Sequence, residues 1–251
     1  MSARILTFDI ETAPNLGYTW AFYEQDVIKI VRPWYVLTVG YKWLNEKQAH
    51  VLSLPDYSLF KKNIQDDKEL IKDFWELLDK ADIVVTQNGD NFDIKKLNTR
   101  FLVHGLPPPS DFKSIDTKKS SKKHFAFGNN KLGNLGIELG LGDKEAHEGF
   151  PLWERCMAGD LEAFKKMAKY NKRDVYLTES VYLKERPYIK NHPNINLYEG
   201  KPDACPKCGS IELISRGFAF TSLNKHKRYS CNNCGTWCMG KKSEQIVVNI
   251  K

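Results

Sequence analysis

Asp9 and Glu11 stand two residues apart at the end of an apolar run, within Phe8-Asp9-Ile10-Glu11-Thr12. In a strand, residues i and i+2 project from the same face, so both carboxylates would leave one side of a strand whose neighbours are buried. Like charges held that closely repel, and each loses solvation. A divalent cation relieves both penalties, and hard oxygen ligands select magnesium or manganese. A solvated acidic pair at a strand end is common, so the meaning of this one depends on further carboxylates.

The chain supplies them. Asp93 follows a short apolar strand, Asp82-Ile83-Val84-Val85-Thr86, and the polar turn Gln87 to Phe92, where a helix begins. Ligand-binding groups commonly sit at such strand-to-helix turns. Tyr170 and Asp174 are four residues apart in a long helical segment, hence one turn apart on one face. Taken singly, an Asp at a helix start is usually a cap, and a Tyr–Asp pair on a helix is usually surface. Asp90 and Asp116 lie near and read as turn-forming.

A second chemistry is written near the C-terminus. Cys205-Pro206-Lys207-Cys208-Gly209 and Cys231-Asn232-Asn233-Cys234-Gly235 are two knuckles of the same form. Each glycine allows a positive φ that turns backbone amides toward sulfur. Four thiolates make a closed tetrahedral site for one structural Zn²⁺. A pair of redox dithiols is the weaker reading, since both pairs carry the glycine. Cys238 lies outside a knuckle, and Cys156 reads as a buried free thiol.

These groups need elements to place them. Strands are expected at 4–10, 36–43 and 50–54, the first three of a sheet, with a hairpin at Asn45–Lys47. Helices follow over 67–80, with Leu70, Ile71, Phe74, Leu77 and Leu78 on one face, and after Asp93, with Ile94, Leu97, Phe101 and Leu102 inward. Leu132, Leu135, Ile137 and Leu139 read as a short packed helix. Asp160 reads as the cap of a helix running from Leu161 toward Glu185. The aromatics of 15–34, among them Tyr18, Trp20, Phe22, Tyr23 and Trp34, read first as packing and second as a base-stacking surface. Lys118 to Lys123 reads as a flexible basic loop, solvated or touching phosphate. Pro187, Pro193, Gly200 and Pro202 give 187–203 the composition of a linker.

The chain has 251 residues, 41% of them hydrophobic, and a formal net charge of +7. Residues 200–251 hold nine Lys/Arg against three Asp/Glu, so nearly all of the excess lies there. A basic tail is a handle for a polyanion, most plainly nucleic acid. Arg216, Phe218, Lys227, Arg228, Tyr229 and Trp237 interleave charge with aromatic faces there, which suits single strands. A protein-docking platform is the alternative for that surface. No apolar run reaches membrane-spanning length and the N-terminus is too short for a signal peptide, so the expected location is cytoplasmic.

With all three acidic segments in view, the chain resembles the DEDD superfamily of 3′–5′ exonucleases. Phe8-Asp9-Ile10-Glu11-Thr12, Asn91-Phe92-Asp93 and Tyr170-x-x-x-Asp174 match its three motifs. The histidine version carries His where this chain has Lys169, so the tyrosine subclass is implied, as in the proofreading domain of family B DNA polymerases. The resemblance spans about residues 4–186. It implies an α/β fold with a ribonuclease H-like mixed sheet flanked by helices over 1–186; composition makes 187–203 a linker, and the paired cysteine knuckles of 204–251 resemble a small zinc ribbon. It implies a stand-alone exonuclease of phage or prokaryote type, working in the host cytoplasm if phage-encoded. It also implies two Mg²⁺ or Mn²⁺ held through Asp9, Glu11, Asp93 and Asp174, with Tyr170 orienting the attacking water. DNA is the favoured partner, with a DNA polymerase or another replication protein beside it. An RNA-directed exonuclease is the runner-up. A non-catalytic nucleic-acid-binding or scaffold protein is the reading from another class, and the complete carboxylate set argues against it.

Overall fold

The computed structural model describes residues 2–23 and 26–245. The chain divides into two compact units, Arg4–Val181 and Tyr182–Lys251 with Met1–Ala3. The last residues expected in the ribbon, 246–251, lie outside the described residues.

The larger unit is built on a five-stranded mixed sheet. Its elements in chain order are β1 (Ile5–Thr12), β2 (Leu16–Tyr18), β3 (Lys29–Arg32), β4 (Val36–Trp43), β5 (His50–Ser53), α1 (Lys68–Leu78), β6 (Ile83–Thr86), α2 (Asp93–Val103), β7 (Lys113–Asp116), α3 (Thr117–His124), α4 (Leu132–Glu138), α5 (Phe150–Met157) and α6 (Leu161–Glu185). The main sheet has the order β5-β4-β1-β6-β7. β4 and β5 run antiparallel on one side of β1, and β6 and β7 run parallel on the other. The central strand begins Ile5-Leu6-Thr7-Phe8, all buried, as a strand covered on both faces requires. Parallel pairing stops at Thr7↔Val85. The last residues of β1, including Asp9 and Glu11, therefore extend past β6.

Helices supply the rest of the core. Leu70, Ile71, Phe74 and Leu78 of α1, Leu97 and Phe101 of α2, Leu152 and Cys156 of α5, and Phe164 and Met167 of α6 join Leu6, Phe8 and Ile10 of β1 in one apolar cluster. Leu132 and Leu135 of α4 form a second cluster with Leu177 and Val181 of α6. α6 lies close against β4 because Gly40 has no side chain: a Cβ there would stand 2.9 Å from Val175 Cγ2 and 3.0 Å from Asn171. A buried ion pair, Lys42 Nζ to Glu179 Oε1 at 2.7 Å, ties the same two elements.

Four local expectations change. Ile137, expected among the packed residues of α4, is exposed. Leu102, expected inward, is 81% exposed, because Leu97 and Phe101 already fill the buried stripe of α2. Lys118 to Lys123 is helical rather than a flexible loop. Asp116 caps it by accepting from Lys119 N, and Thr117, Ser120 and Ser121 form its buried side. Of the aromatics in 15–34, Trp34 packs against the core as expected, but the rest of the segment forms the two-stranded antiparallel sheet of β2 and β3, with Tyr18, Trp20, Phe22 and Tyr23 exposed.

The smaller unit contains α7 (Asn196–Glu199) and the antiparallel strands β8 (Leu213–Phe220), β9 (Asn224–Cys231) and β10 (Trp237–Gln245), in the order β10-β9-β8. The stretch 187–203 is ordered against the first cysteine knuckle. Lys207 Nζ donates to Pro187 O at 2.7 Å, Ile195 N to Pro206 O at 2.9 Å, and Asn196 Nδ2 to Ala204 O at 2.6 Å.

Candidate active site and metal centres

Oxygens of Asp9, Glu11 and Asp174 lie within 4.8 Å of one another. β1 contributes the first two from one face, as period-2 alternation dictates, and α6 brings the third. Asn171, one turn before Val175 on α6, fixes Asp9: its Nδ2 donates to Asp9 Oδ2 at 2.7 Å and to Asp9 O at 3.1 Å. Thr38 Oγ1 donates to Asn171 Oδ1 at 3.1 Å, which orients the amide.

Asp93 stands outside that group of three but beside it. β6 ends at Thr86, so the amide of Ile10 has no strand partner on that side, and it donates to Asp93 Oδ1 at 3.1 Å. The turn that delivers Asp93 is held by Asp116, which accepts from Asn88 N at 3.0 Å and from Asp90 N at 3.4 Å. Asn88 adopts φ 68°, and a Cβ on Gly89 would come within 2.2 Å of Thr86 Oγ1. The turn therefore needs glycine there. Asp116 and Asp90 hold structure, as their positions suggested; Asp90 accepts from Ser114 Oγ at 2.5 Å and from Lys119 Nζ at 2.8 Å.

Charge is strained at this place. Burial, then Asp93, Glu11 and Asp174, push the Asp9 carboxyl well above the ordinary range. Burial and then Asp174 raise Glu11 to about 8. Burial raises Asp93 to about 7 against the opposing Ile10 amide. Asp174 is raised as well, because its burial outweighs the adjacent Lys144. Asp174 Oδ1 is buried with no hydrogen-bond partner among the described residues. An orphaned carboxylate oxygen, two more carboxylates within reach and mutual repulsion make up a donor set that fits a hard divalent cation.

The sequence did not flag Lys144. It lies between α4 and α5, in a segment tied to α6 where Arg173 donates to Leu141 O at 3.1 Å and to Asp143 O at 2.9 Å. Its Nζ stands 2.6 Å from Asp174 Oδ2 and donates to Tyr170 Oη, also at 2.6 Å. Burial disfavours the ammonium, but Asp174 and Tyr170 overcome that and raise its pKa. Burial and Asp174 hold the Tyr170 phenol protonated. The ring of His147 meets that of Tyr170 edge-on at 4.7 Å. Beside these groups opens a cleft of about 390 Å³, lined by Thr12, Asn15, Trp34, Lys96, His147 and Trp153 among others.

In the smaller unit, sulfurs of Cys205, Cys208, Cys231 and Cys234 lie within 4.8 Å of one another. None is in a disulfide. Cys205–Cys234 and Cys208–Cys231 are each 3.6 Å apart. Thiolates about 2.3 Å from one central ion stand roughly 3.8 Å apart at the edges of a tetrahedron, so the spacing fits zinc. Gly209 and Gly235 have φ 72° and 76°, and their amides donate to Cys205 O and Cys231 O at 2.9 Å. Cys238 on β10 is not among the four. Of the six surface residues named from sequence, Arg216 and Phe218 lie on β8, Lys227, Arg228 and Tyr229 on β9, and Trp237 on β10. Phe218 pairs with Lys227 across the sheet, Lys225 Nζ lies 3.8 Å from the Phe218 ring centre, and the Arg228 guanidinium 4.7 Å from that of Trp237.

Residues 32–184 match the RNase H superfamily, more than half of the chain, and the chain belongs to that superfamily. The matched range holds Asp93, Lys144, Tyr170, Asn171 and Asp174; Asp9 and Glu11 precede it. Among solved structures the chain is similar to the family B DNA polymerase from the hyperthermophilic archaeon Pyrobaculum calidifontis, at 12% identity and a TM-score of 0.52. The similarity covers 89% of this chain and 32% of the polymerase, so the chain spans about a third of that protein's length. At this identity the likeness is one of fold. No curated protein matches the chain. Family, fold and acidic cluster together support a nuclease and the resemblance to DEDD-type exonucleases. Among the described residues no helix is long and apolar enough to cross a membrane.

Proposed function

We propose that the chain is a metal-dependent 3′–5′ exonuclease that hydrolyses DNA, from single-stranded 3′ ends, to 5′-mononucleotides. The observation that carries this is the convergence of Asp9, Glu11 and the orphaned Asp174 oxygen within 4.8 Å, where burial penalises their charge. Two Mg²⁺ or Mn²⁺ would be held through Asp9, Glu11 and Asp174, with Asp93 acting on the second, and would supply an activated water and charge for the leaving oxygen.

The chain's own groups do the positioning. Asn171 fixes the angle of the Asp9 carboxylate. Asp93 fixes the end of β1 through the Ile10 amide. Tyr170 Oη accepts from Lys144, and its own hydroxyl acts on the Asp174 carboxylate, so its proton faces the place where a water or a phosphate oxygen beside Asp174 would sit. The ammonium of Lys144 adds positive charge where negative charge develops on a pentavalent phosphorus. The three-stranded ribbon, with one structural Zn²⁺ on its four cysteines, presents cations beside aromatic rings. It aids nucleic-acid or partner binding without entering the chemistry.

The test is digestion of 3′- and 5′-labelled single- and double-stranded DNA and RNA with and without Mn²⁺, using Asp9→Ala as control. Mononucleotides released from the 3′ end of DNA only with metal and only by the unmodified protein support the reading. Cleavage that persists in cleanly purified Asp9→Ala protein would sink it. Faster digestion of RNA moves the substrate to the ribose form.

A further inference from the structure

Between β1 and β4 the chain leaves the main sheet and returns as the ribbon of β2 and β3. Its neck is closed by Trp34 N donating to Asn15 Oδ1 at 2.9 Å and Ala13 N donating to Tyr35 O at 2.9 Å. Beyond the neck the apolar side chains are uncovered. Tyr18 is 63% exposed, Trp20 87%, Phe22 99% and Tyr23 86%. Soluble proteins seldom leave several large aromatics together in water unless something else covers them. The neck also forms a wall of the cleft beside the carboxylates, through Thr12, Asn15 and Trp34. Lys96 Nζ lies 3.9 Å from the Trp34 ring centre, so the wall offers a cation on an aromatic plane. Thr12 adjoins Glu11, so the path from the acidic centre through the cleft to the exposed rings is continuous in the chain. Lys29 and Arg32 on β3 place cations on the ribbon, matched in number by Glu24 and Asp26 of the same segment, so the rings rather than net charge mark the surface.

We propose that this arm binds the unpaired strand of a nucleic acid whose 3′ end lies at the acidic centre, by stacking bases on Tyr18, Trp20, Phe22 and Tyr23. The proposal rests on the exonuclease reading for the position of the 3′ end. Nucleic acid rather than a protein is the occupant because the ribbon continues the wall of the substrate cleft. Its rings also offer flat faces that any base can use. The reach has an upper bound: Leu16 to Phe22 spans at most roughly 20 Å when extended, and less here because residues 20–23 bend. At about 3.4 Å per nucleotide, the bound is roughly six nucleotides from the neck. An oligonucleotide of three should not feel the tip, and one of twelve should.

The experiment compares the full chain with the variant W20L/F22L/Y23L, which keeps apolar area and removes the π-faces. All three positions are exposed, so the fold should tolerate the change. Fluorescence anisotropy without added Mg²⁺ or Mn²⁺ gives Kd for labelled oligothymidylates of three and twelve nucleotides. With metal, turnover of the trinucleotide reports on the acidic centre. The expected result is about ten-fold or greater weakening for the twelve-mer, unchanged Kd for the three-mer and unchanged trinucleotide turnover. A second variant, W20F/F22Y, keeps the aromatic faces and should bind as the unmodified protein does. Equal Kd for the twelve-mer in W20L/F22L/Y23L overturns the proposal. So does equal weakening on both lengths, which would place the effect in the cleft. Loss of a replication-protein contact with oligonucleotide binding intact overturns it in favour of a docking hairpin. An unmodified protein that binds the twelve-mer through the arm but cleaves nothing leaves the arm standing and removes the exonuclease reading.

Discussion

Glu11→Gln should stabilise the protein when no Mg²⁺ or Mn²⁺ is present, and increasingly so as pH rises. The side chain is half-buried, and burial together with Asp174 raises its pKa from the ordinary 4.5 to about 8. Below pH 4.5 Glu11 is protonated in the folded and unfolded chain alike, and the folded state loses nothing. Between 4.5 and about 8 the unfolded chain releases a proton that the folded chain keeps, so stability falls throughout that window. Above it the whole difference has been lost. At about 1.4 kcal/mol per tenfold in proton affinity, the ceiling is on the order of 5 kcal/mol for Glu11. Water reaching the half-buried carboxylate lowers this to roughly 2–3 kcal/mol. Glutamine keeps the shape and removes the charge.

Calorimetry at pH 5 and pH 8.5, with no chelator added, reads the effect. The melting temperature of Glu11→Gln should exceed that of the unmodified protein only slightly at pH 5, just inside the window. It should exceed it by roughly 4–12 °C at pH 8.5, given about 2–4 °C per kcal/mol for a unit of this size. Millimolar Mn²⁺ at pH 8.5 should raise the unmodified protein more than the variant and close the gap. A gap independent of pH, or a variant less stable at pH 8.5, would refute the argument that repulsion at this site is held in reserve for a cation.

Two further outcomes follow from the geometry. Asn171→Ala removes both side-chain bonds to Asp9 and leaves Thr38 Oγ1 without its acceptor. Turnover should fall about 10–10³-fold, as for single positioning groups, with oligonucleotide Kd within about three-fold of the unmodified protein; loss of binding in step with turnover would mean that Asn171 holds the fold rather than the carboxylate. Cys231→Ala should abolish bound zinc, measured by elemental analysis, and unfold the ribbon selectively because such modules take their stability from the metal. Binding to single-stranded DNA across a salt series should then weaken and show a flatter slope, and an unchanged slope would exclude the ribbon as a phosphate contact.

What could be read from sequence was what local periodicity dictates. Asp9 and Glu11 share a face because a strand repeats every two residues, and Tyr170 and Asp174 because a helix repeats every 3.6. The cysteine knuckles were legible because spacing and glycine together fix a turn, and both glycines adopt the positive φ expected. The missed residues depend on contacts distant in sequence. Lys144 reaches Asp174 only because its segment is tied to α6 through Arg173, and no pattern around position 144 marks it. Asn171 left a signal that went unused: Phe164, Met167, Val175 and Thr178 form one buried stripe, and a fully buried Asn at 171 interrupts it. A polar residue inside an apolar helical stripe asks for a partner, and the partner is Asp9, 162 positions away. The basic run Lys118 to Lys123 misled because charge spacing was visible while the Asp116 cap and the buried serines were not.

The acidic residues are secured by unlike means, and that difference bears on how the centre works. Asp9 is held by the amide of Asn171, Asp93 by the backbone of β1, and Asp174 by the ammonium of Lys144. The first two anchors are neutral donors, so they fix position without cancelling charge, and the pKa of each acid stays raised. Only the third is cationic, and it reaches one Asp174 oxygen while the other has no partner among the described residues. One lysine cannot neutralise the carboxylates around it, and burial keeps even its own partner raised. The fold therefore specifies where the carboxylates stand and leaves their charge to be balanced from outside. A structural ion pair would balance its charge internally, one lysine to one carboxylate, as Lys42 does with Glu179 in the same unit, although burial raises that acid too. The contrast between the two sites, one paired within the chain and one left over-charged, is the physical ground for assigning chemistry to the second.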